Sequence, residues 1–292
     1  MKQARFSLFD AINICIMLGL IFVTLYPFVY LINVSLSSEV YVLQNRVSFW
    51  PRGFTTQWYE IVFQDRKIWM GYRNTILYVV LGTIISLLVT SSAAYALSKQ
   101  KMLFGKQITL LIIFTILFSG GMIPSYLVAK ELGIVNSIWA MVLPGAVNTF
   151  HLLIFRTFFE GIPEELEDAG RMDGLNDIGL FTRIVAPLSK PVYASIGLFV
   201  AVGIWNNFYS ALIYLRDPSL FPLQVILRDL IIAGSNADSI ASSANARSGS
   251  EVIVVESLKY ATIIVSTLPI LLVYPFLQKY FVKGVMLGSV KG

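Results

Sequence analysis

The chain has 292 residues, 56% of them hydrophobic and 13% charged, with a formal net charge of +5 and a mean hydropathy of +0.72. Soluble domains carry about 25% charged residues, so a water-soluble fold of this size is excluded and an integral membrane protein is expected. The positive balance does not indicate a nucleic-acid partner: the basic residues are spread along the chain, and short cytoplasmic loops of membrane proteins collect Lys and Arg. Cys15 is the only cysteine and His151 the only histidine. An intrachain disulfide, a CxxC site and a His-based metal cluster are therefore ruled out, and neither a metal nor a cofactor bound by this chain is expected.

A helix needs about 20 apolar residues to cross the hydrocarbon core. In chain order, six segments qualify: Ala11–Val34, Tyr72–Leu97, Ile108–Ala129, Ser137–Phe159, Val192–Leu215 and Tyr260–Val282. The first is too long for a signal peptide and lacks a clear cleavage site, so it reads as a retained span. Between spans two and three stand Lys99, Lys101 and Lys106 with no acid, whereas Lys130 and Glu131 cancel between spans three and four. The first of these loops is expected to be cytoplasmic and the second external, which puts both termini in the cytoplasm. The expected fold is thus all-α, with six transmembrane helices in a single transmembrane domain over 1–292.

Two external segments, 35–71 and 216–259, are long. The first carries Trp50, Trp58, Tyr59 and Trp69, aromatics suited to the membrane–water interface, and a short interfacial helix is expected from about Thr56 to Phe63 with Thr55 or Thr56 as its cap. The second includes "GSNADSIASSANARSGSE" (Gly234–Glu251), whose small polar residues cannot form a core; it reads as a mobile or partner-ordered loop.

Between spans four and five lies "EELEDAGRMDGLNDIGLFTRIVAPLSKP" (Glu164–Pro191). Pro163 suits the first position of a helix, and Glu164, Glu165 and Glu167 follow where negative charge complements the helix dipole. Leu166, Ala169 and Gly170 share one small-volume face that permits close approach of another surface. Gly174 provides the left-handed residue after the helix, and Asn176 or Asp177 can cap a second helix. In that helix Phe181, Ile184, Val185 and Leu188 form an apolar stripe, which Pro187 and Pro191 disrupt. Two short helices joined by a tight turn, over 160–191 on the cytoplasmic face, fit either a docking element for a partner or an interfacial helix on lipid headgroups.

This stretch resembles the EAA loop of binding-protein-dependent ABC-transporter permeases, a pattern close to E-A-A-x-x-D-G-A followed, after a spacer, by I-x-L-P. Here Asp168-Ala169-Gly170 stands for E-A-A, Asp173-Gly174 matches D-G, Leu175 replaces the last Ala, and Ile184-Val185-Ala186-Pro187 replaces I-x-L-P. The flank "IPEELEDA", the second-span "NTILYVVLGTIISLLVTSSAAYALSK" (Asn74–Lys99), the fifth-span "WNNFYSALIYL" (Trp205–Leu215) and the tail "KYFVKGVMLGSVKG" (Lys279–Gly292) are similar to the carbohydrate-uptake, maltose-type permeases. "FSGGMIPSYLVAKELGIVNSIWAMVLPGAVNTF" (Phe118–Phe150) looks like a branch associated with complex oligosaccharides.

The resemblance implies the permease subunit of a bacterial ABC importer, translocating a sugar or oligosaccharide delivered by an extracytoplasmic solute-binding protein. It implies a second, homologous permease subunit in a heterodimer and two ATPase subunits, which carry Mg-ATP. Glu167, Asp168, Ala169, Gly170, Asp173 and Gly174 would form the ATPase-coupling contact, with Asp168 facing a basic residue of the ATPase. Asp168 is one methylene shorter than the usual Glu, and Gly170 lowers helix propensity by up to about 1 kcal/mol against Ala. The loop around 235–250 would touch the binding protein, and the tail near Lys291 would lie between the ATPases. No G-x-x-x-x-G-K-[ST] occurs: Gly105-Lys106 lacks the upstream Gly and the following Ser/Thr. The chain is therefore not expected to be an enzyme.

Substrate-path candidates are Tyr95 in span two, Asn148 and His151 in span four, and Trp205, Asn206, Asn207 and Tyr209 in span five. Amides bond sugar hydroxyls and aromatic faces pack on pyranose C–H faces; each residue could equally bond across helices to hold the bundle together. The rival readings are a permease for another solute class, a non-ABC carrier or channel, and an intramembrane enzyme. Scarcity of acids within the spans argues against a proton-coupled carrier. One His, one Cys and no paired intramembrane carboxylates argue against the enzyme.

Overall fold

The computed structural model describes residues 8–99, 102–232 and 257–272. In chain order the helices are α1 (Leu8–Ser35), α2 (Glu39–Leu43), α3 (Gln57–Gln64), α4 (Arg66–Ser98), α5 (Gly105–Leu117), α6 (Met122–Glu131), α7 (Ile138–Val142), α8 (Thr149–Glu160), α9 (Glu164–Met172) and α10 (Asp177–Leu180). A π segment (Phe181–Val185), α11 (Ala186–Leu188), α12 (Lys190–Trp205), α13 (Tyr209–Tyr214) and a 3₁₀ turn (Pro218–Leu220) follow, then α14 at residues 223–232 and α15 (Ser257–Leu272). No strand occurs among the described residues. The loop at 234–251, the end of the sixth expected span and the tail 279–292 lie outside them.

Among the described residues two helices, α1 and α4, are long and apolar enough to cross a membrane unbroken. The other apolar segments depart from the single rods expected of them. Span three breaks at Phe118–Gly121 and bends by 117° between α5 and α6, where Gly121 takes φ +82°. Span four breaks between α7 and α8 around Pro144 and Gly145. Span five breaks between α12 and α13, and its lead-in bends by 82° at Ser189, because Pro191 has no N–H to continue the ladder. Hydropathy sees each as one apolar run; the breaks fall at Gly and Pro in spans three and four and at Asn206-Asn207 in span five.

The chain groups into two compact units. Residues 1–68 and 227–268 form one. Its segment after α1 is folded, not loose. The Trp58 indole N–H donates to the Ser37 carbonyl at 3.1 Å, Ser37 Oγ accepts from Arg52 N at 2.9 Å, and Ser35 Oγ meets Tyr59 Oη at 2.7 Å. Trp58 is 2% exposed and Trp50 80%, so Trp58 is a core residue here and not the interface aromatic it was expected to be. The short helix expected from about Thr56 to Phe63 forms as α3, and the Thr55 hydroxyl accepts from Gln57 N at 3.3 Å.

The second unit, residues 69–226 and 269–292, has its main core where α4, α8, the π segment and α12 meet, built on Ala94, Tyr95, Phe155, Phe159, Val185 and Ile196. Helices α4 and α12 approach closely: a Cβ on Gly82 would come within 2.5 Å of Ile204 Cδ1, the small-residue packing that spans use in place of a hydrophobic driving force. At the opposite end of α4, Asn74 Nδ2 donates to the Ser219 and Phe221 carbonyls at 2.7 and 3.1 Å, and Tyr78 Oη donates to the Leu220 carbonyl at 2.7 Å.

Candidate functional site: the loop between spans four and five

The loop is two short helices around a left-handed turn. Pro163 sits one position before α9, at φ −58° and ψ 133°, and Glu164, Glu165 and Glu167 fill the first turn. The helix ends in a Schellman motif: Leu175 N donates to Gly170 O at 3.0 Å and Gly174 N to Arg171 O at 3.0 Å, with Gly174 at φ +82°. Asn176 caps α10, its Oδ1 accepting from Gly179 N at 2.8 Å. Arg171 pairs with Asp177 across the turn at 2.8 Å.

The expected apolar stripe is re-phased. Leu180 and Val185 are both fully buried, whereas Leu188 is 51% exposed. The buried pair is five residues apart because the intervening backbone is a π segment, whose hydrogen bonds run i→i+5. A stripe counted at the α period therefore placed Leu188 on the wrong side.

The six residues expected to form the coupling contact divide into two sets. Asp168, Ala169, Asp173 and Gly174 are exposed, beside Leu166, Met172 and Ile178 at 43, 89 and 73% exposure. Gly170 is buried: a Cβ there would come within 2.6 Å of Leu180 Cδ2 and of Ile184 Cδ1. The surface that approaches the small-residue face at Gly170 is thus the loop's own second helix. Glu167 also faces inward, its carboxylate paired with Lys99 just after α4. The Lys99 ammonium stands 4.1 Å from the centroid of the Tyr95 ring.

The substrate-path candidates do not converge on one point. Tyr95 lies at the loop between spans four and five, its ring 5.1 Å from Phe181 and 6.2 Å from Phe159. Asn148 caps α8, accepting from His151 N at 3.1 Å. The Asn206 amide donates to its own helix at Val202 O, 3.0 Å away, and Asn207 caps the start of α13 by accepting from Ser210 N at 3.0 Å. Three of the candidate amides are therefore occupied by backbone or neighbouring groups at helix breaks. His151 Nδ1 and Trp205 Nε1 are buried and have no hydrogen-bond partner among the described residues; Trp205 packs 6.3 Å from Tyr72. Tyr209 Oη donates to Met122 Sδ at 3.1 Å.

The breaks themselves come together. Thr115, near the end of α5, meets Thr149, the first residue of α8, hydroxyl to hydroxyl at 3.0 Å. Met122 opens α6 and takes the Tyr209 hydroxyl from the start of α13. Irregular backbone at membrane depth is tolerated only where protein covers it or where it lines a water-filled cavity.

The family described as "Binding-protein-dependent transport system inner membrane component" matches over residues 68–287. The chain belongs to this family. It is similar to "Protein LplC" of Bacillus subtilis (strain 168), with 42% identity, covering 97% of this chain and 95% of that protein. It is also similar to the "Polygalacturonan/rhamnogalacturonan transport system permease protein YtcP" of the same organism, with 39% identity over 98% and 99% of the two chains. A solved structure, "Crystal structure of a bacterial ABC transporter involved in the import of the acidic polysaccharide alginate", contains a chain with TM-score 0.84 and 32% identity, covering 96% of this chain and 99% of that one.

The chain is thus a membrane permease subunit of an ABC importer, a class whose members work with a further permease, an ATPase and a solute-binding protein and are not enzymes themselves. For this permease, sequence reasoning missed Lys99 as a partner of the coupling loop and Thr115, Thr149 and Met122 as partners at the breaks. Lys99 was counted only as a loop charge. Pro144-Gly145 before Asn148, and Asn207 three residues before Ser210, were legible signals for breaks followed by caps.

Proposed function

We propose that this permease carries a sugar or oligosaccharide inward, handed over by an extracytoplasmic binding protein and driven by Mg-ATP hydrolysis on two separate ATPase subunits. A second, related permease chain completes the membrane core as a heterodimer. Six spans, with both termini and the loop at 160–191 on the cytoplasmic side, fit this assembly. The pairing of Lys99 with Glu167 supports that topology, because it requires the loop after span two and the loop after span four to share a side.

The observation that carries the reading is the division of the coupling helix into a locked inner face and an open outer one. Asp168, Ala169, Asp173 and Gly174, with the exposed Leu166 and Met172, present a short acidic and apolar ridge. An ATPase groove with an apolar floor and a basic rim complements it. A partner shifts an inward–outward equilibrium only by its differential affinity for the two states, and a loop nested on α4, α8 and α12 can pass that difference to the spans. The three clustered breaks are the proposed lining of the substrate path, with His151, Trp205 and Tyr209 nearby in sequence. The relatives named for polygalacturonan and alginate transport favour acidic oligosaccharides as the substrate class.

The test is a double substitution, Asp168→Lys with Met172→Glu. The ATPase is expected to be lost from complexes purified through a tag on this chain, and uptake with it. Full retention of both would remove the reading. Uptake assays with oligogalacturonides, alginate oligosaccharides and neutral maltooligosaccharides then separate acidic from neutral substrates.

A further inference from the structure

We propose that Lys99, Glu167 and Tyr95 form a strut through which the coupling helix moves the end of span two directly, making Lys99 a positioning residue for transport. The proposal rests on the reading that an ATPase grips α9. Lys99 directly follows α4, and its ammonium donates to both carboxylate oxygens of Glu167. The same ammonium also stands over the Tyr95 ring, 4.1 Å from its centroid, one turn earlier in α4. A cation is thus held between an anion on the coupling helix and an aromatic face on the span. The side chains are 32% and 15% exposed for Lys99 and Glu167, so the pair is partly withdrawn from water and less screened than a surface pair.

The ion pairs of the described residues set this one apart. Arg171–Asp177 ties the loop to itself, Arg156–Glu160 lies within α8, and Arg228–Asp229 joins chain neighbours. Lys99–Glu167 alone among them joins α9 to another span. The apolar contacts of α9 at Gly170 run to Leu180 and Ile184 of the same loop, and the apolar cluster that includes α4, α8 and α12 holds no α9 residue. Apolar contacts have no direction and slip; a charge pair with two hydrogen bonds between two elements resists being pulled apart. Tyr95 roots the strut, since its ring also packs on Phe181 at the start of the span-five lead-in.

The experiment uses the whole transporter, purified through a tag on this chain and reconstituted in vesicles. Cys15 is the only cysteine, so Cys15→Ser with Ala96→Cys gives a single site on the exposed side of the α4 end for a bimane fluorophore. ATP with vanadate is expected to shift the emission. Lys99→Met should lose most of that shift while the ATPase still co-purifies; Lys99→Arg should keep it; and the exchanged pair Lys99→Glu with Glu167→Lys should recover it. An undiminished shift in Lys99→Met overturns the strut and leaves the coupling reading standing. Absence of an ATPase from the tagged complex without the Lys99 substitution overturns the coupling reading and the strut together. If Lys99→Met does not assemble, the exchanged pair decides: recovery of assembly and shift supports the strut, and failure of either rejects it.

Discussion

The two ends of the bundle around α4 are closed by different interactions. At the coupling end, the loop is nested by buried aliphatic and aromatic side chains and one ion pair, and it leaves an outer face of Leu166, Asp168, Met172 and Asp173 uncovered. At the other end, neutral side chains are spent on backbone carbonyls and amides. Asn74 and Tyr78 hold residues 219–221, Thr75 Oγ1 accepts from Leu223 N at 2.9 Å, and Asn136 Oδ1 accepts from Arg216 N and Asp217 N at 2.8 and 2.9 Å. The Asp217 carboxylate accepts from Ser219, and this bond holds its pKa below the usual carboxylate range. Hydrogen bonds to backbone fix one geometry, whereas a side-chain nest with an open face can be gripped and shifted as a unit. The end held by Asn74, Tyr78 and Asn136 is fixed to backbone, and the end carrying the loop 160–191 is held by side-chain packing with one face open.

The contrast is broken most severely at Gly170. Gly170→Val would push Leu180 and Ile184 out of contact with α9, an overpacking that costs about 1–3 kcal/mol. The expected result is a lower melting temperature of the detergent-solubilised complex and loss of uptake. Gly170→Ala, the residue usual in the family, gains up to about 1 kcal/mol of helix propensity against a smaller clash, so uptake should survive. If Val is tolerated as well as Ala, the nest is not tight.

Asn74→Ala tests the opposite end. It leaves the carbonyls of Ser219 and Phe221 without their donor, a loss of about 0.5–1.5 kcal/mol for each hydrogen bond. Thermal stability should fall while ATPase co-purification stays intact. Loss of the ATPase with this variant would mean that the two ends are not separable.

Gly174→Ala isolates backbone strain, because nothing lies within 4 Å of a Cβ built there and φ is +82°. The left-handed conformation should cost about 1–2 kcal/mol, seen as a modest melting shift with weakened ATPase retention. Smallest of all, Arg171→Ala removes an exposed pair with Asp177, and its effect should stay within about 1 kcal/mol. A larger loss of stability would show that the turn itself holds the loop together.

Much of the loop was legible because its signals are local. Gly174 as the left-handed stop, Asn176 as the cap and the acidic first turn of α9 each depend on neighbours within a few residues, and the structure has all three. The inward turn of Gly170 and Glu167 was not legible, since it depends on Leu180, Ile184 and Lys99, which only the folded chain brings near. Apolar runs marked where membrane segments lie but not that three of them are broken, because hydropathy averages over the one or two Gly, Pro or Asn residues that end a helix. Asn148 and Asn207 were read for sugar chemistry while their sequence context, a break followed by a helix start, pointed to caps.

The π segment at Phe181–Val185 accommodates one residue more than an α-helical path over the same turn. Deleting Thr182 would restore regular winding and keep later residues in phase, whereas the same deletion within the regular turns of α12 would rotate everything after it by about 100°. Val192, Ile196 and Val200 would then stay in the core they share with α4 and α8. The π turn is thus the one place in this stretch where a change of one residue in length leaves the packing of the following helix untouched.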